Sequence, residues 1–266
     1  MSKMFDSVDL SSIKLAPAKT SKASSACKTC AIQGPGGSKL SIQTPLMTLP
    51  WDIFPKKLDE NSNVNAALSL SFVGMDENDK DCDLHKFMVF MSEFDTKIKS
   101  LISEMGGTLG KKSEAKVLDA SFRDSVKESS SGDYPSTVQP KIWTTVKEGG
   151  TKGNAEDHSM DILVFDLDGK KIDSEYLKKG CPVAAIIEPS YVWCSTLGVG
   201  ITWCAKQAVI KPFQKQEFGF TLGRKFDELK GSSEQPSSKK AKSGSTDEEV
   251  EEEEEESEED VENEDF

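Results

Sequence analysis

From Asp81 to Gly107 the chain reads DCDLHKFMVFMSEFDTKIKSLISEMGG, and its apolar residues recur at spacings of three and four. Leu84, Phe87, Met88, Met91, Phe94, Ile98, Leu101, Ile102 and Met105 fall on one stripe. That spacing predicts one long amphipathic helix, closed by Gly106 and Gly107. Only a weaker helical stretch, KKSEAKVLDASF, follows it. On either side the period is that of strands. KLSIQTPLMTL begins at Lys39, and in NVNAALSLSFVG the residues Ala67, Ser69 and Ser71 alternate with Leu68, Leu70 and Phe72. After Tyr134 come STVQPKIWTTV, DILVFDLDGKKI and the run from Cys181 to Phe213, which holds two or three strands and a Gly-containing hairpin at Leu197 to Gly200. One long helix among many separated strands excludes a doubly wound sheet, which needs a helix after nearly every strand.

The expected fold is therefore mainly β: a small β-barrel resembling an OB-fold, with one long inserted α-helix. Its folded body is expected over residues 38–225. Residues 1–37, rich in Ser, Lys, Ala and Gly without period, read as a disordered basic arm. Residues 226–246 read as a flexible Ser/Lys linker and 247–266 as an acidic C-terminal tail. The charge is divided the same way. The chain carries 33 basic and 46 acidic residues, and fifteen of the acids lie between Asp247 and Phe266. Without them residues 1–246 carry 33 basic residues against 31 acidic ones, a slight basic excess that suits an anionic partner. The N-terminus MSKMFDSVDLSSIKL has no signal-like apolar run, and VAAII from Val183 is too short to span a bilayer. An intracellular protein without a membrane partner is expected, and its six cysteines read as free thiols.

Aromatic and lysine residues are interleaved along the expected strands. Trp51, Phe54, Tyr134, Trp143, Tyr191, Trp193 and Trp203 are candidate platforms on which bases stack. Lys39, Lys56, Lys57, Lys141, Lys147, Lys206 and Lys211 are candidate phosphate contacts. Arg occurs only at 123 and 224, so the pattern favours diffuse phosphate attraction over bidentate base reading. A strand Trp is as often core as platform. Trp193 and Trp203 share a face if the hairpin loop has three residues, and lie on opposite faces if it has two. Trp51 and Phe54, in the turn-rich PWDIFPKK, are the preferred stacking residues.

Several motifs compete with this reading. ILVFDLDGKK imitates the first motif of the haloacid-dehalogenase superfamily, with Asp166 in the nucleophile's place and Asp168 in the acid's. That motif takes Thr or Val where this chain has Lys170, and no downstream acidic pair follows, so a strand ending in a turn is expected and no catalysis. Cys27 and Cys30 form CKTC without a second pair, His85 and His158 belong to no metal or nucleophile motif, and no phosphate-binding GxxxxGK loop occurs. No metal or cofactor is expected. His85 is expected to be solvated at the start of the helix. SSKKAKSG, from Ser237, reads as a linker or a short nuclear-import signal.

The runs GSKLSIQTPLMTLPW, ALSLSF, DYPSTVQPKIW and GVGITWCAKQAVI, with the helix between them, resemble the single-stranded DNA-binding proteins of nucleocytoplasmic large DNA viruses. These are related to the podovirus-type OB-fold protein with an acidic tail ending in Phe. The resemblance implies sequence-independent binding of single-stranded DNA in replication, recombination or repair. It also implies a tail, here ending in Asp265 and Phe266, that recruits a polymerase, helicase or primase; with fifteen tethered carboxylates resembling a strand of phosphates, that tail is expected to compete with DNA. A homo-oligomer and a place in the host nucleus or a cytoplasmic viral replication site go with it. The alternative is an acidic-tailed histone chaperone or other interaction protein, which leaves the interleaved aromatics and lysines unexplained.

Overall fold

Thr196 and Leu197 turn the chain between its two longest strands, Pro182–Ser195 and Gly198–Ile210. The loop thus has two residues. The computed structural model describes residues 3–21, 25–57, 64–76 and 78–211, with Lys57 described by its backbone alone. Its hairpin ladder runs from Val183 opposite Ile210 to Ser195 opposite Gly198, with register shifts at Ile186/Ile187 and Pro189/Tyr191. Irregularities of this kind sharpen strand twist, and the second one accommodates Pro189 within a ladder.

Around this hairpin the pairings close into a ring of five chain runs. Ile42–Gln43 and Met47–Thr48 pair antiparallel with the first hairpin strand. Thr48 also pairs with Ser71, so the run Val64–Ser71 is next. That run pairs antiparallel with Thr137–Val138 and Lys141–Ile142. Lys141 then pairs in parallel with Cys204 of the second hairpin strand, and the ring is complete. Alternation sets the inside: Leu68, Leu70 and Phe72 are buried, as are Val138, Ile142, Val183, Ala185 and Ile187. Thr44, within QTP, is buried as well; its hydroxyl donates to Pro45 O at 2.9 Å and accepts from Ala185 N–H at 3.0 Å.

The long helix forms where its periodicity predicts it, as α1 (Asp83–Glu104), and Gly106 and Gly107 follow at φ 60° and 79°. Phe87, Phe90, Met91, Phe94, Ile98 and Ile102 are its buried stripe. Phe94 packs on Trp203 with ring centroids 4.9 Å apart, and Phe87 packs on Phe72 at 6.0 Å. The weaker helical stretch gives α2 (Ala115–Ser121). Beyond it, Phe122–Arg123 pairs in parallel with Val199–Gly200, and Val126–Lys127 pairs with Thr137–Val138.

The N-terminal expectation is corrected. Within residues 1–37, Lys28–Gln33 pairs with Tyr191–Cys194, and Lys14–Leu15 and Lys19–Thr20 pair in turn with that strand. Lys3–Met4 pairs in parallel with Ile42–Gln43. Phe5, Ile13, Cys30 and Ile32 are buried, and Phe5 covers Phe87 at 5.3 Å. The segment is polar because each anchor is inserted singly into the core, while main-chain hydrogen bonds supply the rest. The expected boundary at 225, the linker, SSKKAKSG and the tail with Asp265 and Phe266 lie outside the described residues. No described helix is long and apolar enough to cross a membrane.

Candidate nucleic-acid interface

The loop joining the first and second runs of the ring carries PWDIFPKK. Trp51 is 50% exposed, and its Nε1 donates to Ser69 Oγ at 3.1 Å, which fixes the indole by one edge. Phe54 is 59% exposed. Both rings, with Lys56, border a cavity of about 520 Å³ whose other walls include Ser69, Lys127, Gln139 and Lys141. A second cavity, of about 310 Å³, is lined by Arg123, Trp193 and Thr202 and again by Lys127, Gln139 and Lys141. The three shared residues join the two into one groove, with aromatic rings toward both ends and cations between.

Backbone geometry places these side chains. Lys141 is the residue at which the ring passes from Ala67 to Cys204, so its strand position is held from both sides. Its Nζ lies 5.2 Å from the centroid of the exposed Trp143 ring, a cation–π distance. Lys127 Nζ donates to Gln139 Oε1 at 2.9 Å across paired strands. Trp193 sits opposite Gly200, where an added Cβ would meet its ring at 2.8 Å; the glycine lets the indole lie against the neighbouring strand. The acids beside the cations are engaged with other groups. Asp52 Oδ1 accepts from Lys179 N–H at 2.7 Å, and Asp124 pairs with Lys99 at 3.4 Å.

Of the residues expected from sequence, the groove thus gathers Trp51, Phe54, Lys56, Lys141 and Trp193, with Trp143 beside Lys141. Trp203 is corrected. The two-residue loop puts its side chain on the strand face opposite Trp193; it borders the second cavity only by an edge, being 5% exposed, packed on Phe94 and bonded to Ser125, so it offers a base no open ring face. Tyr134 is 72% exposed and Tyr191 half-buried between Ala31 and Thr202, and neither lines the groove. Lys39, Lys206 and Lys211 do not line it either, and Lys147 Nζ donates to Glu156 O at 2.8 Å in a separate hairpin. The side chain of Lys57 is outside the described residues. Sequence reasoning missed Lys127, Gln139, Ser69 and Arg123. The one available signal was Arg123 itself, an arginine among lysines.

The competing motifs resolve locally. Asp166 Oδ1 accepts from the backbone N–H of Asp168 at 3.0 Å and of Lys170 at 2.8 Å, closing the turn between Leu163–Phe165 and Lys171–Ile172. Its carboxylate is a turn cap. Cys30 Sγ donates to Ala16 O, and burial pushes its thiol up to about 11. Among the described residues no group of three or more His, Cys, Asp or Glu is placed to hold a metal ion. His85 departs from expectation: it is half-buried, and its Nδ1 is buried without a hydrogen-bond partner.

No family model matches the chain, and no curated protein matches it in sequence. Solved structures do. One is a single-stranded DNA-binding protein from bacteriophage Enc34 in complex with single-stranded DNA, at 12% identity and a TM-score of 0.39, covering 77% of this chain and 99% of that one. Another is gp2.5, a single-stranded DNA-binding protein encoded by bacteriophage T7, at 12% identity and a TM-score of 0.40, covering 69% of this chain and 97% of that one.

Proposed function

We propose that the chain binds single-stranded DNA without sequence preference through this groove and has no catalytic activity of its own. The observation that carries the reading is the groove's composition. Trp51 and Phe54 stand toward one end and Trp193, with Arg123, toward the other, with Lys127 and Lys141 between. Rings accept the faces of unpaired bases, and lysines attract phosphates without reading base edges. The ring of strands supports an OB-type barrel. Its spatial order, by position along the chain, is first, second, third, fifth, fourth and back to first, with the third and fifth parallel. The groove lies over the second and third runs and the loop between first and second, the region by which OB barrels take oligonucleotides.

The biological role that fits is protection and organisation of single strands during replication, recombination or repair, in a host nucleus or a cytoplasmic viral replication site. The fifteen acids of residues 247–266 imitate a run of phosphates, and Phe266 adds one ring. Tethered to the body, such a tail reaches an effective concentration on the order of millimolar. It competes with DNA for the groove, and once displaced it is free to recruit a polymerase, helicase or primase. Copies that line one strand together make a homo-oligomer. A gel shift against single-stranded DNA, duplex DNA and histones tests the reading. Single-stranded DNA should shift first, whereas preference for histones would support the chaperone alternative.

A further inference from the structure

Next to the groove, a buried polar chain joins α1 to the segment Phe122–Lys127. Trp203 Nε1 donates to Ser125 Oγ at 2.7 Å, and Ser125 Oγ donates to Asp95 Oδ1 at 2.6 Å. The backbone N–H of Ser125 donates to Asp95 Oδ2 at 2.7 Å. Asp95 is 4% exposed and Ser125 9%. An indole N–H can only donate, so the Ser125 hydroxyl accepts from it and gives its own proton to Asp95. Both carboxylate oxygens then accept, an arrangement that the ionised group satisfies in full.

Packing alone does not account for a carboxylate there, because a buried charge is costly and an apolar side chain avoids that cost. Burial raises the Asp95 carboxyl to about 6; the Ser125 hydrogen bonds pull it down, Asp124 pushes it up and Lys99 lowers it. What the carboxylate grips is the backbone that carries two of the groove's cations. Ser125 lies between Arg123 and Lys127, both exposed and both lining the groove. Lys99 of α1 grips the same segment, 3.4 Å from Asp124 and 4.8 Å from the Phe122 ring centroid.

We propose that Asp95 is a positioning residue for DNA binding: through Ser125, its carboxylate sets where Arg123 and Lys127 stand in the groove. The proposal rests on the reading of the groove as a single-stranded DNA site. The charged groups facing Asp95 are Lys99 from α1 and Arg123, Asp124, Lys127 and Glu128 from the gripped segment. From the hairpin comes only Trp203, which does not titrate. Comparing wild type with Asp95→Asn at each pH cancels every other titrating group, His85 and His158 included. The variant's amide supplies one acceptor where the carboxylate supplied two, so Ser125 loses one of its bonds.

The test uses the full chain, its Asp95→Asn and Ser125→Ala variants, oligo-dT affinity at pH 7 and pH 5, and thermal melting. At pH 7 Asp95→Asn should melt cooperatively and bind about tenfold more weakly, the scale of losing one charge-assisted hydrogen bond. At pH 5 the two proteins should converge, because wild type has then lost the ionised grip. A folded Asp95→Asn that binds as well as wild type, or more tightly, overturns the proposal, since the carboxylate would then be structural or merely repulsive. Should Asp95→Asn fail to melt cooperatively, Ser125→Ala decides the question: weaker binding supports the positioning role, and wild-type binding overturns it. Wild type that shows no oligo-dT binding at any salt overturns the reading of the groove, and this proposal with it. Wild type that binds beside an unaffected variant overturns only the positioning.

Discussion

Trp51 and Trp203 each donate an indole N–H to a serine hydroxyl, at 3.1 and 2.7 Å, yet one keeps half its surface in solvent and the other is buried. Their substitutions should therefore fail differently. Trp51→Ala should weaken oligo-dT binding by about 1 to 3 kcal/mol, measured by titration, with a melting curve close to wild type. Trp203→Ala should lower stability by about 3 to 5 kcal/mol in urea unfolding. Lys127→Ala should reduce the slope of log affinity against log salt by about 0.7, the loss of one phosphate contact on a single strand. Residue type and local spacing were enough to favour Trp51 and Phe54, because a Pro-flanked turn seldom buries a ring. They were not enough for Trp193 and Trp203, whose faces depend on a loop length that only the closed hairpin settles. Lys127 and Gln139 were invisible for a related reason: they meet across strands that no local pattern pairs.

At the scale of elements, α1 was the most legible part, since its six fully inward apolar positions repeat with helical period. The N-terminal segment was the least legible. Its anchors, Phe5, Ile13, Cys30 and Ile32, follow no period, and its strands are held by main-chain bonds to partners far along the chain. Phe5→Ala should cost about 3 to 5 kcal/mol of stability, where a disordered arm would cost nothing; chemical denaturation distinguishes the two. Asp95 gives α1 a pH dependence whose sign follows from its raised carboxyl. The folded chain holds that proton more tightly than the unfolded chain does, so this contribution is fully present below about pH 4 and lost as pH rises through about 6. The loss is on the order of 3 kcal/mol. Asp95→Asn should flatten that part of the stability profile between pH 4 and pH 7, as read by melting at each pH.

At the scale of the whole molecule, the β-rich class with one long helix was readable from the sequence, and the closure of the ring was not. Closure depends on Lys141 meeting Cys204 in parallel, some sixty residues apart in a chain whose intervening stretch pairs elsewhere. That closure brings the loop of Trp51 and the hairpin of Trp193 to one groove. Deletion of residues 247–266 should tighten oligo-dT binding at low salt, with the gain shrinking as salt rises; a gain independent of salt would contradict electrostatic competition. The central claim is that bases stack on the groove's rings. Tryptophan fluorescence titrated with oligo-dT tests it most directly, in wild type and in Trp51→Phe. The account predicts saturable quenching in wild type and a smaller quench in the variant, whereas fluorescence unchanged by oligo-dT at low salt would contradict it.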